Sequence, residues 1–206
     1  MQDVRNSNGK WLQNTKNPEG GYSLTRAGIL WSNLKQRLRG SSVRNESYLE
    51  CFHNFLGFQD FAEWCQQQEN YTSKDEKGRY YHLDKDILFA NNKIYSKETC
   101  CFIPADLNMV LSKGNNKTNK YLIGTCFVEK VGRFTSHVTG HPDLKHGYLG
   151  IYDTEIEAHR AWQLGKIQVL EHSINKFSYL PPSILEGLTK HIQLIQKQFN
   201  SNETTS

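Results

Sequence analysis

Residues 121–140, YLIGTCFVEKVGRFTSHVTG, and 148–162, YLGIYDTEIEAHRAW, decide the fold. The runs YLIGTCFVEK, RFTSHVTG and GYLGIYD are rich in β-branched and aromatic residues, and they are separated by a turn at Val131-Gly132 and by HPDLKHG. Runs of this kind between Gly-containing turns predict a three-stranded antiparallel meander. Thr154 then stands as an N-cap, with Glu157 three residues later to close a capping box. Ala158, Ala161, Trp162, Gly165 and Val169 follow at helical spacing, so one face of a helix should cover one face of the sheet. The small residues Ala158, Ala161 and Gly165 predict close approach. Alternation along the second strand puts Arg133, Thr135 and His137 on one face and Phe134, Ser136 and Val138 on the other. Phe134 and Val138 are apolar and should face the helix, which leaves Arg133, Thr135 and His137 outward. On the first strand Thr125, Phe127 and Glu129 alternate with Gly124, Cys126 and Val128, and the pattern does not choose between the two sets.

Working outward, Pro181-Pro182 precedes SILEGLTKHIQLIQKQF, whose Ile184, Leu188, Ile192, Ile195 and Phe199 form a helical stripe over residues 181–199. That stripe can pack on the body or on a second copy, so a homodimer through the C-terminal helix stays open. Residues 200–206 read as a polar tail. On the other side KGNNKTNK, Lys113 to Lys120, is a polar linker. Before it, SLTRAGILWSNLKQRLRG places Leu24, Ala27, Leu30, Trp31, Leu34 and Leu38 at helical spacing, with Arg26, Lys35, Arg37 and Arg39 on the surface and Gly40 as the stop. In YLECFHNFLGFQDFAEWCQQQ a short helix is expected after Gly57, with Phe58, Phe61 and Trp64 as core. Tyr80–Leu88 and Lys93–Ser96 can pair as strands about FANN, where Asn91 and Asn92 tolerate positive φ. Pro104 then opens the helix PADLNMVLSK. The expected organisation is α+β: a flexible arm over 1–22, a helical and ββα module over 23–112, a sheet-and-helix domain over 119–175, the helix 181–199 and the tail.

A chain of 206 residues with 37% hydrophobic and 12% aromatic content can bury a real core in one domain or two small ones. No apolar run approaches the roughly 20 residues that span a bilayer, and MQDVRNSNGK lacks the apolar centre of a signal peptide. A cytoplasmic protein without a membrane partner is expected. The five cysteines are scattered with no CxxC pair, a pattern that argues against a disulfide framework or zinc ribbon and for reduced thiols. A net charge of +4 permits a nucleic-acid partner without requiring one.

Two resemblances sharpen this reading. The segment YLIGTCFVEKVGRFTSHVTG...YLGIYDTEIEAHRAW resembles the AP2-type DNA-binding domain, with its Gly-containing first strand, basic-aromatic Arg133-Phe134, LG, DT and Ala-rich helix. The central LDKDILFANNKIYSKETCCFIPADLN, preceded by FxxFAxWC, is similar to phage-encoded HNH-type homing endonucleases. The first resemblance implies double-stranded DNA as partner, read in the major groove by the exposed sheet face. Arg133, Thr135 and His137, with Thr125 from the first strand, would meet bases, while Lys120, Tyr121, Lys130, Lys145 and His146 at the edges would meet phosphates.

The second resemblance implies a ββα-metal nuclease, in which a histidine activates water and nearby Asp or Asn ligands hold a divalent cation. His82 matches the base and Asn108 the final ligand, with Asp84 and Asp86 near enough to be recruited. Tyr81 stands where an acidic ligand is usual, and Thr99 stands at the middle asparagine. The expectation is therefore a nuclease relative without a catalytic or metal site and without a cofactor, acting as a transcriptional repressor in a phage or a phage-parasitic mobile element. The alternative is an active nicking endonuclease with His82, Asn108 and Asp84 and with magnesium or manganese as cofactor.

Overall fold

The computed structural model describes residues 3–39, 50–112 and 120–204. The chain divides into two compact units, Met1–Ala105 and Asp106–Ser206. No helix among the described residues is long and apolar enough to cross a membrane.

In the first unit, β1 (Asn14–Lys16) pairs antiparallel with β2 (Tyr22–Leu24), and α1 (Arg26–Leu38) follows. The helix starts after Leu24 because Thr25 supplies a cap: its Oγ1 accepts from Gly28 N–H (3.1 Å) and donates to the Leu12 carbonyl (2.9 Å). Ala27, Trp31 and Leu34 form the buried stripe. The expected stop at Gly40 lies outside the described residues. The segment expected as a flexible arm is instead docked. Trp11 Nε1 donates to Glu63 (2.9 Å), Gln59 and Trp11 exchange two hydrogen bonds, and the Asp3 carboxylate accepts from Ala27 N–H (2.9 Å), Gln66 (2.8 Å) and the Tyr71 hydroxyl. Polar composition suggested fraying, but here the polar side chains satisfy α1 and its neighbour α2 (Phe58–Gln67).

Arg26, expected on the surface, is buried. Its Nε donates to the Tyr71 carbonyl (2.8 Å), one Nη to the Tyr81 carbonyl (2.9 Å), and its guanidinium lies 4.2 Å from the Tyr80 ring centroid and 4.8 Å from that of Tyr71. Hydrogen bonds and ring faces offset the desolvation that lowers its pKa. Around it Trp31, Phe55, Phe61, Trp64, Tyr71 and Phe102 form a continuous aromatic cluster, so these rings are core.

The expected hairpin about FANN does not form. β3 (Phe52–His53) pairs parallel with β5 (Ile94–Tyr95), while β4 (His82–Asp84) pairs antiparallel with β6 (Cys101–Ile103). The first strand stops at Asp84 because its carboxylate accepts from Asp86 N–H (2.9 Å) and Ile87 N–H (2.7 Å) and folds the chain into a turn. Asn91 does take positive φ, at 61°. All five cysteines carry free thiols, with Cys51, Cys65 and Cys100 buried and Cys126 exposed.

In the second unit α3 (Ala105–Leu111), begun after Pro104, precedes the segment 113–119, so the expected linker falls almost wholly outside the described residues. Then come β7 (Thr125–Val128), β8 (Arg133–His137) and β9 (Tyr148–Tyr152), an antiparallel meander in sequence order, followed by α4 (Glu155–Lys176) and α5 (Pro182–Asn200). Thr154 and Glu157 close the capping box in both directions. The stripe Ile184, Leu188, Ile192 and Ile195 is buried, with α5 packed on α4 within one chain. The segment after α5 turns back: Arg160 donates to Phe199 O (3.0 Å) and Asn202 Oδ1 (2.8 Å), and Gln163 donates to Glu203 O (3.1 Å).

Lys166 on α4 joins α3 to this body. It is buried, and its ammonium donates to the Val110 carbonyl at the end of α3 and to Ser112 O (3.5 Å), where a cation also suits the helix dipole. Burial nevertheless pushes its pKa from 10.5 down to about 8. Between those values the unfolded chain holds a proton that the folded chain has released, so stability should rise with pH across that window, by up to about 3 kcal/mol. Urea unfolding of the native chain and Lys166→Met, below, within and above the window, measures the term as the difference between them. A pH-independent difference would contradict it.

Candidate nucleic-acid interface

The sheet register sorts every strand residue onto a face. Cross-strand partners share a face in an antiparallel pair, so Cys126–Thr135–Ile151 make one outward row. Val128 and Arg133 make the next, and the Phe134–Tyr152 pairing carries that row one step further to Asp153. A bulge between Ser136 and His137 then places His137 opposite Tyr148, with ring centroids 5.2 Å apart. The inward set is Thr125 with Ser136, and Phe127 with Phe134 and Tyr152.

This sidedness is set by how α4 sits. Ser136 and Val138 are buried on the helix side, as is Ala158 on the helix. A Cβ on Gly124 would lie 2.0 Å from Trp162 Cδ1, and φ there is +79°, so only glycine lets the indole reach the backbone that leads into β7. Beside it, His159 Nδ1 donates to the Ile123 carbonyl (2.8 Å), which fixes the tautomer, and the ring stacks on Trp162 at 5.5 Å. Burial holds His159 below its usual pKa. Gly165 allows the same closeness further along the helix, where a Cβ would come within 2.9 Å of Leu149.

The outer face is left open. His137, Tyr148, Ile151 and Cys126 are exposed, and Arg133 and Thr135 are half-buried. Lys130 is exposed in the β7–β8 turn, next to the Arg133 row. Lys145 and His146 are exposed at the opposite end, in the short 3-10 turn before β9, where His146 has φ 57°. Lys120, also exposed, lies 5.2 Å from the Tyr121 ring. Tyr121 itself packs with Phe127 and Phe134, on the inward set.

Besides Tyr121, two sequence assignments change. Thr125 is buried at 5% exposure and its hydroxyl donates to the Leu122 carbonyl (2.8 Å), so it lies on the helix side and Cys126 takes its place outside. Arg133 is not a bare cation: its Nε lies 2.8 Å from Asp153 Oδ1, in an ion pair whose N–H is not aimed at the oxygen. Asp153, Tyr148 and Ile151 were missed because only the register, and not the alternation within one strand, brings them beside Arg133 and His137.

The region resembling a nuclease is built differently from its motif. His82 reaches solvent on β4, yet burial of part of the ring, followed by Arg37, Arg79 and Arg26, holds its pKa below the usual value. Tyr81 is buried, with its N–H donating to Ser73 O (3.0 Å). Asp84 is buried and its Oδ1 accepts from both turn amides; burial raises its pKa. Asp86 pairs with Lys85 (2.6 Å). Thr99 holds its own loop by donating to Ile94 O (2.7 Å) and accepting from Ser96 N–H (3.1 Å). Asn92 ties the same loop together, its Nδ2 donating to Lys85 O (2.8 Å) and Ile94 O (2.7 Å). Asn108 is half-buried on α3, in the second unit. Among the described residues no three His, Cys, Asp or Glu side chains converge as a metal site.

Comparison with protein-family profiles, curated proteins and solved structures finds no match. The reading of the site therefore rests on this chain's own residues. The seat of the sheet is testable: Gly124→Ala adds a Cβ at positive φ against Trp162 and should cost about 2–4 kcal/mol in urea unfolding. Native stability in that variant would show that Trp162 does not set the sheet's position.

Proposed function

We propose that the chain binds double-stranded DNA sequence-specifically, with the outer face of β7–β9 in the major groove. The observation that carries this reading is the asymmetry of the sheet. One face is sealed by α4, while the other presents Arg133, Thr135 and His137 between basic groups at both ends. Three strands about 4.8 Å apart form a ribbon that fits a groove about 12 Å wide. Lysines at the margins would neutralise phosphates and set register, and the central side chains would meet base edges.

In the same reading the HNH-like region is a nuclease relative that no longer cuts. Support comes from Tyr81 and Asp84: the first is a core ring without a carboxylate, and the second is buried with its Oδ1 holding a turn, which disfavours a cation there. A sequence-specific binder without a catalyst acts by occupying its site, hence as a transcriptional repressor of a phage or of a mobile element that exploits one.

Two measurements test this. In gel shifts, Lys130→Ala should weaken all duplexes alike and reduce the salt slope by about one, while Arg133→Ala should cost about 1–3 kcal/mol on the preferred duplex and much less on random DNA. Equal small losses for both would remove the sheet from the interface. Supercoiled plasmid carrying the preferred site should stay intact with magnesium or manganese. Nicking that vanishes in His82→Ala would establish the active endonuclease instead.

A further inference from the structure

We propose that Asp153 is a positioning residue for Arg133, and that together they specify a guanine in the bound DNA; this rests on the outer sheet face being the DNA interface. Arg133 begins β8 and Asp153 directly follows β9, and the register brings them side by side on the open face. The ion pair engages the Nε side of the guanidinium, whose Nε is buried, while Asp153 itself is 79% exposed. Among the described residues Nη1 and Nη2 make no hydrogen bond.

Three consequences follow from that geometry. The ion pair already restrains the guanidinium on its Nε side, although the Nε–H makes no hydrogen bond, so less rotamer freedom is lost when the terminal fork meets a base. The carboxylate neutralises Arg133 locally and repels phosphate, so this arginine is directed away from the backbone. Lys130 and Lys145, by contrast, have no ion pair among the described residues. Finally, two parallel donors match guanine, which presents O6 and N7 as adjacent acceptors. Adenine opposes one of them with its own amino donor, cytosine offers a donor, and thymine sets a methyl beside its one acceptor.

Selection of duplexes from a randomised pool, using the full chain, tests this. The native protein should enrich a motif with one fixed G·C pair. Arg133→Ala and Arg133→Lys should each lose about 5- to 150-fold of discrimination at that pair, because lysine keeps the charge but not the fork. Asp153→Asn and Asp153→Ala should blur the same pair while binding random duplex as tightly as the native chain or more tightly, since the freed cation can turn to phosphate. A merely structural role would instead lower affinity for all sequences alike. Unchanged base preference in both Asp153 variants would overturn the positioning role, and an Arg133 effect at an A·T pair, or at none, would overturn the guanine assignment. If the native chain enriches no motif and shows no salt-dependent shift, the DNA reading itself fails, a result distinct from either of those.

Discussion

The indole of Trp162 stands where the Cβ of any other residue at position 124 would be. That contact, together with the His159 bond to the Ile123 carbonyl, seats the start of β7 on α4. Once β7 is seated, the antiparallel register determines which side of each strand faces solvent, because a slip of one residue would exchange the two faces. The outward position of Arg133, Thr135 and His137 thus depends on a glycine and an indole that never touch the outer surface. The capping box at Thr154 and Glu157 contributes by fixing where α4 begins relative to the end of β9.

The first unit has a different centre. Arg26 ties α1 to the carbonyls of Tyr71 and Tyr81 and fills the space between three aromatic rings. The residue before His82 is therefore held by its backbone and buried by its side chain. Tyr81 is thus an aromatic core position. Asn92 keeps the loop between β4 and β6 closed through its bonds to the Lys85 and Ile94 carbonyls.

Much of the second unit was legible because its signals are local: turn glycines, a capping box, helical periodicity and period-two alternation. Those signals could not assign Thr125 to the helix side, since Thr125 and Cys126 are similar in polarity and β7 lacks a clear alternation. Asp153 was invisible as a partner of Arg133 because cross-strand neighbours are 20 residues apart in sequence and need a register to meet. In the first unit the misreadings share one cause. Half-buried Asp3 and buried Arg26 and Asp84 are charged residues whose desolvation is offset by backbone and side-chain partners far along the chain or within a turn, and composition treats such residues as surface. The Tyr80–Ser96 hairpin failed for the same reason: the Asp84 cap ended the strand and left its partner to be found at Cys101–Ile103.

Cys126 offers a direct probe of the central claim, because it lies in the middle row of the outer sheet face and is the exposed thiol. Cys51, Cys65 and Cys100 are buried, and burial raises the pKa of each and of half-buried Cys101, so all four should alkylate slowly. Peptide mass spectrometry would follow alkylation of Cys126 in the full chain with and without a saturating preferred duplex. The account expects DNA to slow modification of Cys126 by about tenfold or more, with the burial that an occupied major groove imposes. An unchanged rate at Cys126, in a sample whose gel shift shows the duplex fully bound, would place the DNA elsewhere on the protein and contradict the account.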